Sequence, residues 1–284
     1  MPGKLVLLAV HAHPDDESLG TGGTLARYAR EGVRTVLVCA TRGEEGEILN
    51  PDMGSEQVPP SMVELRMKEL ERACETLGIH EVHFLGYRDS GMAGSPANRH
   101  PEALANADML EATLRLVRVM RTVRPHVVIT YNEKGIYGHP DHIAVNRITL
   151  SAMAATADAS RYPALSLPPW RPLKLYYTAI PRSRLTALKH VVEKQGETLD
   201  FDVDFLSTPD EDITTRIDVR SVLDVKLKAI RSHRSQMNPR SFLSRMPEPM
   251  RSEALGTECY VWVSGQVGAP PRETDLFEGL DPAS

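Results

Sequence analysis

"LVLLAVHAHPDDESLG", residues 5–20, opens with six apolar residues and then places His11, His13, Asp15, Asp16 and Glu17 within seven positions. The apolar run reads as a core strand, and its polar end lies where open α/β sheets bind their ligands. The chain that follows alternates short apolar runs with amphipathic stretches: "GTLARYAREG", "RTVLVCA", "MVELRMKELERACETLG", "EVHFLGY", "DMLEATLRLVRVMRTVRP" and "HVVITY". A β-α-β-α-β-α-β order predicts a Rossmann-like, doubly wound α/β fold. Its sheet is mainly parallel in the order 3-2-1-4-5, because each right-handed crossover helix returns the chain to start the next strand alongside. Gly32 and Gly78 mark helix ends as C′ glycines, and Pro125 follows the third helix.

Beyond Asp141 the pattern predicts a helix over "HIAVNRITLSAMAATADA", a Pro-rich connection and a strand over "LKLYYTAI". A helix over 183–194, a strand near 213–219, a helix over "RSVLDVKLKAIRSHRSQ" and a last strand "CYVWV" follow. The organisation expected is a Rossmann-like catalytic half, 1–160, that carries both polar motifs, and an α+β elaboration, 161–265, that completes the same domain. The tail, 266–284, is expected to be mobile or an arm ordered by a neighbouring subunit.

Composition narrows the function. The 284 residues carry a formal charge of −5 with no block of basic residues, which argues against nucleic acid as a partner. The longest apolar run is far below the ~20 residues of a bilayer span and leads into "HPDDE" rather than a cleavage site, so a soluble, cytoplasmic protein with no membrane partner is expected. Cys39, Cys74 and Cys259 are widely spaced and lack any C-x-x-C pairing; they read as buried small apolar residues.

"HPDD" alone has an ordinary reading as a solvated turn, with Ser18 capping a helix that begins near Leu19. A second cluster, "GIYGHPDHIAV", places His139, Asp141 and His142 after the fourth strand. In the order 3-2-1-4 strands 1 and 4 are neighbours, so both clusters fall at the switch point and converge on one pocket. Two imidazoles and a carboxylate form a three-ligand set for catalytic Zn2+, and the donors also suit Fe2+, Co2+ or Mn2+. A spare Asp beside the ion is placed for a general base, and a spare His for an oxyanion donor or an acid. Gly20, Gly22 and Gly23 do not have the G-x-G-x-x-G spacing, so no nucleotide cofactor is expected; they read as letting the first helix approach a substrate. His11, within the strand's last residues, reads as packed behind the site rather than as a ligand.

"AVHAHPDDESLG" with "ITYNEKGIYGHPDHIAVNR" resembles the LmbE / PIG-L family of zinc-dependent N-acetylglucosaminyl deacetylases, the mycothiol-pathway deacetylases and conjugate amidases most of all. The likeness spans most of 4–155, including "TRGEEGE", "RMKEL" and "YRDSGMAG", and returns at "KLKAIRSHRSQ"; residues 160–212 show no match. The resemblance implies that His13, Asp16 and His142 hold the metal and that Asp15 is the general base. It implies that His139 stabilises the oxyanion, Asp141 orients the His139 ring and Tyr137 contacts the carbonyl. Either Asp15 or His139 could protonate the amine. Glu47, Arg66 and Asp89 match positions that hold sugar hydroxyls. Read without the family, Glu47 sits in a solvated charged loop, Arg66 in an i,i+3 surface pair and Asp89 in an Asx turn with Gly91 at positive φ.

The expected function is removal of acetyl from an N-acetylglucosamine-type sugar, with a small amino-sugar substrate. An amidase acting on a thiol-sugar conjugate is the alternative among enzymes, and a metal-dependent sugar-binding module without turnover the alternative among binders. The resemblance further implies a homo-oligomer of unspecified number.

Overall fold

A computed structural model describes residues 5–54, 61–194, 196, 202–248, 250–265 and 272–280. Its strands are β1 (Val6–His11), β2 (Arg34–Cys39), β3 (Glu81–Phe84), β4 (Val127–Thr130), β5 (Lys174–Ala179), β6 (Thr215–Asp218) and β7 (Thr257–Gly265). Among the described residues the helices that matter here are α1 (Asp16–Gly20), α2 (Gly22–Arg30), α3 (Met62–Leu77), α4 (Met109–Val123), α5 (Gly135–Gly138), α6 (Pro140–Thr156), α7 (Arg182–Lys194), α8 (Val203–Leu206) and α9 (Leu223–Ser232).

The strands form one sheet in the order β3-β2-β1-β4-β5-β7-β6. β1 lies parallel between β2 and β4, and β5 extends the parallel set beyond β4, as expected from the sequence. β7 then runs antiparallel to both β5 and β6, so the C-terminal elaboration continues the same sheet. Every residue of β1 is buried because the strand alternates between two helical layers. Leu7 and Ala9 pack with Leu25, Leu70 and Ala229 on one face, and Leu8 and Val10 with Leu116, Val145 and Ile148 on the other.

Helix ends follow local chemistry. The Ser61 hydroxyl accepts from Glu64 N at the start of α3, and Gly78 closes it in the left-handed region at φ 73°. Asp108 caps α4 through Glu111 N at 2.9 Å. Two local expectations are corrected. Helix α1 begins at Asp16, and Ser18, inside it, donates its hydroxyl to Glu17 Oε1 at 2.5 Å rather than capping. The start of α2 is filled by an acid of the chain itself. Its Gly23 and Thr24 N–H groups each donate at 2.8 Å to the buried Glu258 carboxylate, which also binds Lys226 Nζ at 2.6 Å. Gly23 is needed for close packing, since a Cβ there would fall 2.6 Å from the Val219 side chain.

The tail is corrected where it is described. Residues 272–280 dock on the chain's own sheet: Leu276 and Phe277 join the core around Tyr28. Glu273 accepts from Lys174 Nζ at 2.6 Å, Tyr176 OH at 2.6 Å and Thr215 Oγ1 at 2.8 Å. Residues 266–271 and 281–284 lie outside the described residues. Cys39, Cys74 and Cys259 are buried free thiols. No helix among the described residues is long and apolar enough to cross a membrane.

Breaking a buried ion pair from one side costs about 3–5 kcal/mol, because the remaining charge keeps its burial and loses its partner. Glu273→Ala, which strands the fully buried Lys174, is therefore expected to lower the urea midpoint by an equivalent amount. A midpoint within error of the parent would show that the dock contributes nothing.

Candidate active site

The two polar motifs meet at the carboxyl ends of β1 and β4, and the His13 ring joins them. Its Nε2 lies 3.1 Å from Asp141 Oδ2 and 3.6 Å from Asp89 Oδ1. Its Nδ1 faces the opposite way, 3.4 Å from Asp16 Oδ2 and 3.4 Å from His142 Nε2. His142 Nε2 is in turn 3.4 Å from Asp16 Oδ1. Burial alone would lower the His13 imidazole, but Asp141, Asp16 and Asp89 outweigh it and hold it well above the usual range. Burial alone would raise Asp16, but the His142 and His13 rings hold it well below the carboxylate range. Three carboxylates packed around imidazoles make the pocket attractive to a cation.

Each of these side chains is fixed from behind. Asp16 Oδ2 accepts from the His13 N–H at 2.8 Å and from the Tyr131 hydroxyl at 2.7 Å; that hydroxyl also accepts from Ala12 N at 2.7 Å. The Tyr131 ring stacks on His142 at 4.0 Å, so one residue at the end of β4 holds members of both motifs. Asp141 is fully buried; Ser90 donates to its Oδ2 through the backbone N–H at 3.0 Å and to its Oδ1 through the hydroxyl.

The family likeness placed Asp141 on the His139 ring, and the contact is made by its backbone rather than by its carboxylate. The carboxylate orients His13, and the Asp141 backbone N–H donates to His139 Nδ1 at 3.1 Å as part of the cap of α6. With Nδ1 accepting, the neutral ring carries its proton on Nε2. Burial first and the neighbouring His13 second push His139 down to about 4, which keeps it neutral.

Asp15 stands beside Asp16 with φ 121°, a region that costs a non-glycine residue about 1–3 kcal/mol. Burial raises its carboxyl to about 6 against the opposing pull of Arg66. Arg66 is not in a surface pair: it is buried, donates through Nη1 to Gly43 O at 3.2 Å and through Nη2 to Pro14 O, and lies 3.3 Å from Asp15 Oδ2. A side chain at Gly43 would collide with this guanidinium, as its Cβ would fall 2.1 Å from Nη1. Behind Asp15, Glu17 Oε2 accepts the Asp15 N–H at 2.9 Å and Oε1 pairs with His233 Nε2 at 2.7 Å.

Asp89 forms the expected Asx turn, accepting from Gly91 N at 2.8 Å with Gly91 at φ 61°. It also faces His13, so turn and site are the same residue. Glu47 is exposed, and its carbonyl accepts from Gln236 Nε2 at 3.0 Å; its carboxylate is not among the groups that converge here. Its neighbours reach further in: Glu44 Oε2 accepts from Asp89 N at 3.0 Å, and Glu45 pairs with Arg88. Tyr137 is 44% exposed at the mouth, its ring 4.9 Å from that of His142. It follows Ile136, a β-branched residue held at φ 64°, so strained backbone presents it. His11 is buried, bonds Thr21 Oγ1 at 2.9 Å and is lowered chiefly by burial, in keeping with a packing role.

Sequence reasoning missed Tyr131, Ser90, the Glu17–His233 pair and Glu69, which accepts from Ser235 N at 2.7 Å and from Ser235 Oγ at 2.6 Å. The last two link "HPDDE" and "RMKEL" to "RSHRSQ", stretches that the family likeness had already singled out.

Comparison with known proteins places the chain in a family. Residues 8–153 match the family described as PIG-L: GlcNAc-PI de-N-acetylase. The chain belongs to that family. It is 43% identical to a 1D-myo-inositol 2-acetamido-2-deoxy-alpha-D-glucopyranoside deacetylase of Acidothermus cellulolyticus, over 97% of this chain and 95% of the relative. It is 42% identical to a protein of the same name from Geodermatophilus obscurus, over 96% and 97%. The fold is shared with N,N'-diacetylchitobiose deacetylase from Pyrococcus horikoshii, at TM-score 0.63 and 20% identity, covering 98% of this chain and 86% of that one.

Tyr131→Phe leaves the buried Ala12 N–H without its acceptor, and is expected to cost about 1–3 kcal/mol in urea unfolding. Tyr137→Phe, at the exposed mouth, is expected to stay within about 0.5 kcal/mol of the parent. Equal stabilities for the two variants would contradict the role given to Tyr131.

Proposed function

We propose that the protein is a zinc-dependent N-deacetylase of 2-acetamido-2-deoxyglucose glycosides, which hydrolyses the amide to acetate and a free amine. The observation that carries this reading is the approach of His13 Nδ1 and His142 Nε2 to 3.4 Å of each other, with Asp16 Oδ2 3.4 Å from the first and Asp16 Oδ1 3.4 Å from the second. Bonds of about 2.0–2.1 Å to a tetrahedral ion set its donor atoms about 3.4 Å apart, so these donors fit Zn2+ and leave a coordination position open. The relatives' names, at about two-fifths identity over nearly the full chain, support the substrate class.

Two other donor groups lie close together: His13, His139 and His142, and His13, Asp89, His139 and Asp141. The second is the weaker candidate for the ion because both oxygens of Asp141 and of Asp89 accept hydrogen bonds, whereas the bonds to Asp16 both fall on Oδ2 and leave Oδ1. Asp141 accepts from Ser90, Asp89 from Gly91 and Glu45, and His139 Nδ1 from Asp141 N. It serves instead as the support of the metal ligand His13, a carboxylate–histidine arrangement that fixes the ring and raises its basicity.

When bound, the ion supplies Lewis acidity, activating water and polarising the acetyl carbonyl. Asp15, poised by burial and steadied by Arg66, accepts a proton from the attacking water. His139 Nε2–H donates to the carbonyl oxygen as negative charge develops there, and Tyr137 closes the mouth beside it. A neutral His139 whose one N–H serves the oxygen is a poor acid. The proton held by Asp15 therefore passes to the nitrogen as the C–N bond breaks, leaving amine and acetate. Arg66 reaches substrate hydroxyls only through its remaining N–H groups, and Asp89 only through the lone pairs not taken by Gly91 N and Glu45 N.

With 1D-myo-inositol 2-acetamido-2-deoxy-α-D-glucopyranoside as substrate and fluorescent detection of the amine, Asp15→Asn is expected to lower kcat by about 10²–10⁴-fold while bound zinc stays at the parent level. Full activity in that variant would overturn the base assignment. Chelator treatment followed by dialysis is expected to abolish amine release, and added Zn2+ to restore it. Activity that survives complete metal removal would overturn metal dependence. Tight sugar binding with no amine formed would identify a binding module, and turnover confined to S-conjugates an amidase.

A further inference from the structure

Glu17 and His233 are both buried, touch each other at 2.7 Å, and take no part in the chemistry above. Their position gives them a task. Pro14 C=O and Asp15 N–H belong to one peptide plane. Arg66 Nη2 donates to its oxygen, and Glu17 Oε2 accepts its N–H at 2.9 Å. Two oppositely charged side chains therefore grip the two ends of one peptide group and set its rotation. That rotation is what holds Asp15 at φ 121°. On the other side of the residue, Asp15 O accepts from Ser18 N at 3.0 Å and Leu19 N at 3.1 Å, the first turn of α1. A disfavoured backbone persists only where its surroundings over-determine it, and here they do so from three directions.

The Glu17 carboxylate is itself fixed by His233 Nε2 and by the Ser18 hydroxyl. His233 stands at the end of α9, and the next turn is tied down by Ser235 to Glu69 on α3, the helix that carries Arg66. Both arms of the clamp thus rest on the α3–α9 layer.

We propose that the Glu17–His233 pair is a positioning device for the general base: it grips the Asp15 N–H, sets the Pro14–Asp15 peptide plane and so aims the Asp15 carboxylate. Through it helix α9 governs the proton-transfer step without touching substrate. The inference rests on the reading of Asp15 as the proton acceptor. It predicts a loss in kcat rather than in KM or metal binding, since neither the zinc ligands nor the sugar contacts are altered.

The test uses full-length protein with Zn2+ and the same glycoside. His233→Gln keeps an N–H donor for Glu17 and is expected to retain kcat within about 3-fold. Glu17→Met with His233→Leu removes both polar partners together, so no charge is left buried and alone. This double variant is expected to fold and bind zinc normally, with kcat about 100-fold lower and KM within about 3-fold, the scale of a misaimed catalytic group. The Asp15 amide proton, read by NMR, is expected downfield in the parent and His233→Gln and upfield in the double variant. Glu17→Gln, which keeps an uncharged acceptor, serves where the double variant does not fold, with kcat expected to fall about 10-fold. Parental kcat in the double variant or in Glu17→Gln, or loss of kcat only together with loss of zinc, would overturn the proposal. A parent protein that releases no amine would overturn the proposed function, and the Asp15 amide shift would still decide whether the pair grips that N–H.

Discussion

One imidazole, that of His13, holds the site together. It lies just beyond the end of the central strand and has a nitrogen on each side. Nε2 meets Asp141, from the distant second motif, and Nδ1 meets Asp16 and His142. Because β1 and β4 are neighbours in the sheet, the fold brings the two motifs together before any side chain acts, and the His13 ring then sets the distance between them. A ring so held is preorganised: its Nδ1 faces Asp16 and His142 while Asp141, fixed by Ser90, supports the other edge.

The arrangement depends on a core that can tolerate buried charge. Asp16, Asp141 and Glu17 are each matched by imidazole, hydroxyl or backbone donors, and Arg66 by carbonyls and Asp15. Each buried charge there needs an opposite charge or a hydrogen bond close by, which is why the site draws on β1, β4, α3, α6, α9 and the loops between them. The C-terminal part of the sheet is held in the same manner, by Glu273 on Lys174 and Tyr176 of β5 and Thr215 of the edge strand β6, and by the docked Leu276 and Phe277.

What could be read from the sequence follows from periodicity and topology. Apolar runs alternating with amphipathic helices specify a parallel sheet, and the switch point of that sheet predicts where "HPDD" and "HPDH" meet; both readings stand. What could not be read are pairings between single residues far apart in the chain. Tyr131 looked like the last residue of a strand, Glu17 like one more acid in a crowded turn, and His233 like a polar residue at a helix end. Their partners lie 115 and 216 positions away along the chain. The double role of Asp141 could not be read either, because its backbone N–H meets His139 while its carboxylate meets His13. The glycines before α2 suggested an open helix start, yet Glu258 from the last strand fills it. The tail lacked an obvious amphipathic pattern, and its dock depends on one buried acid and two apolar residues.

The central claim is that the two faces of His13 have different tasks, one toward the ion and the other toward its carboxylate support. An anomalous-difference map at the zinc absorption edge, from crystals of the zinc-loaded protein, tests it most directly. The account predicts one peak within about 2.0–2.1 Å of His13 Nδ1, His142 Nε2 and an Asp16 oxygen. A peak on the Nε2 side, among Asp89, His139 and Asp141, would contradict it.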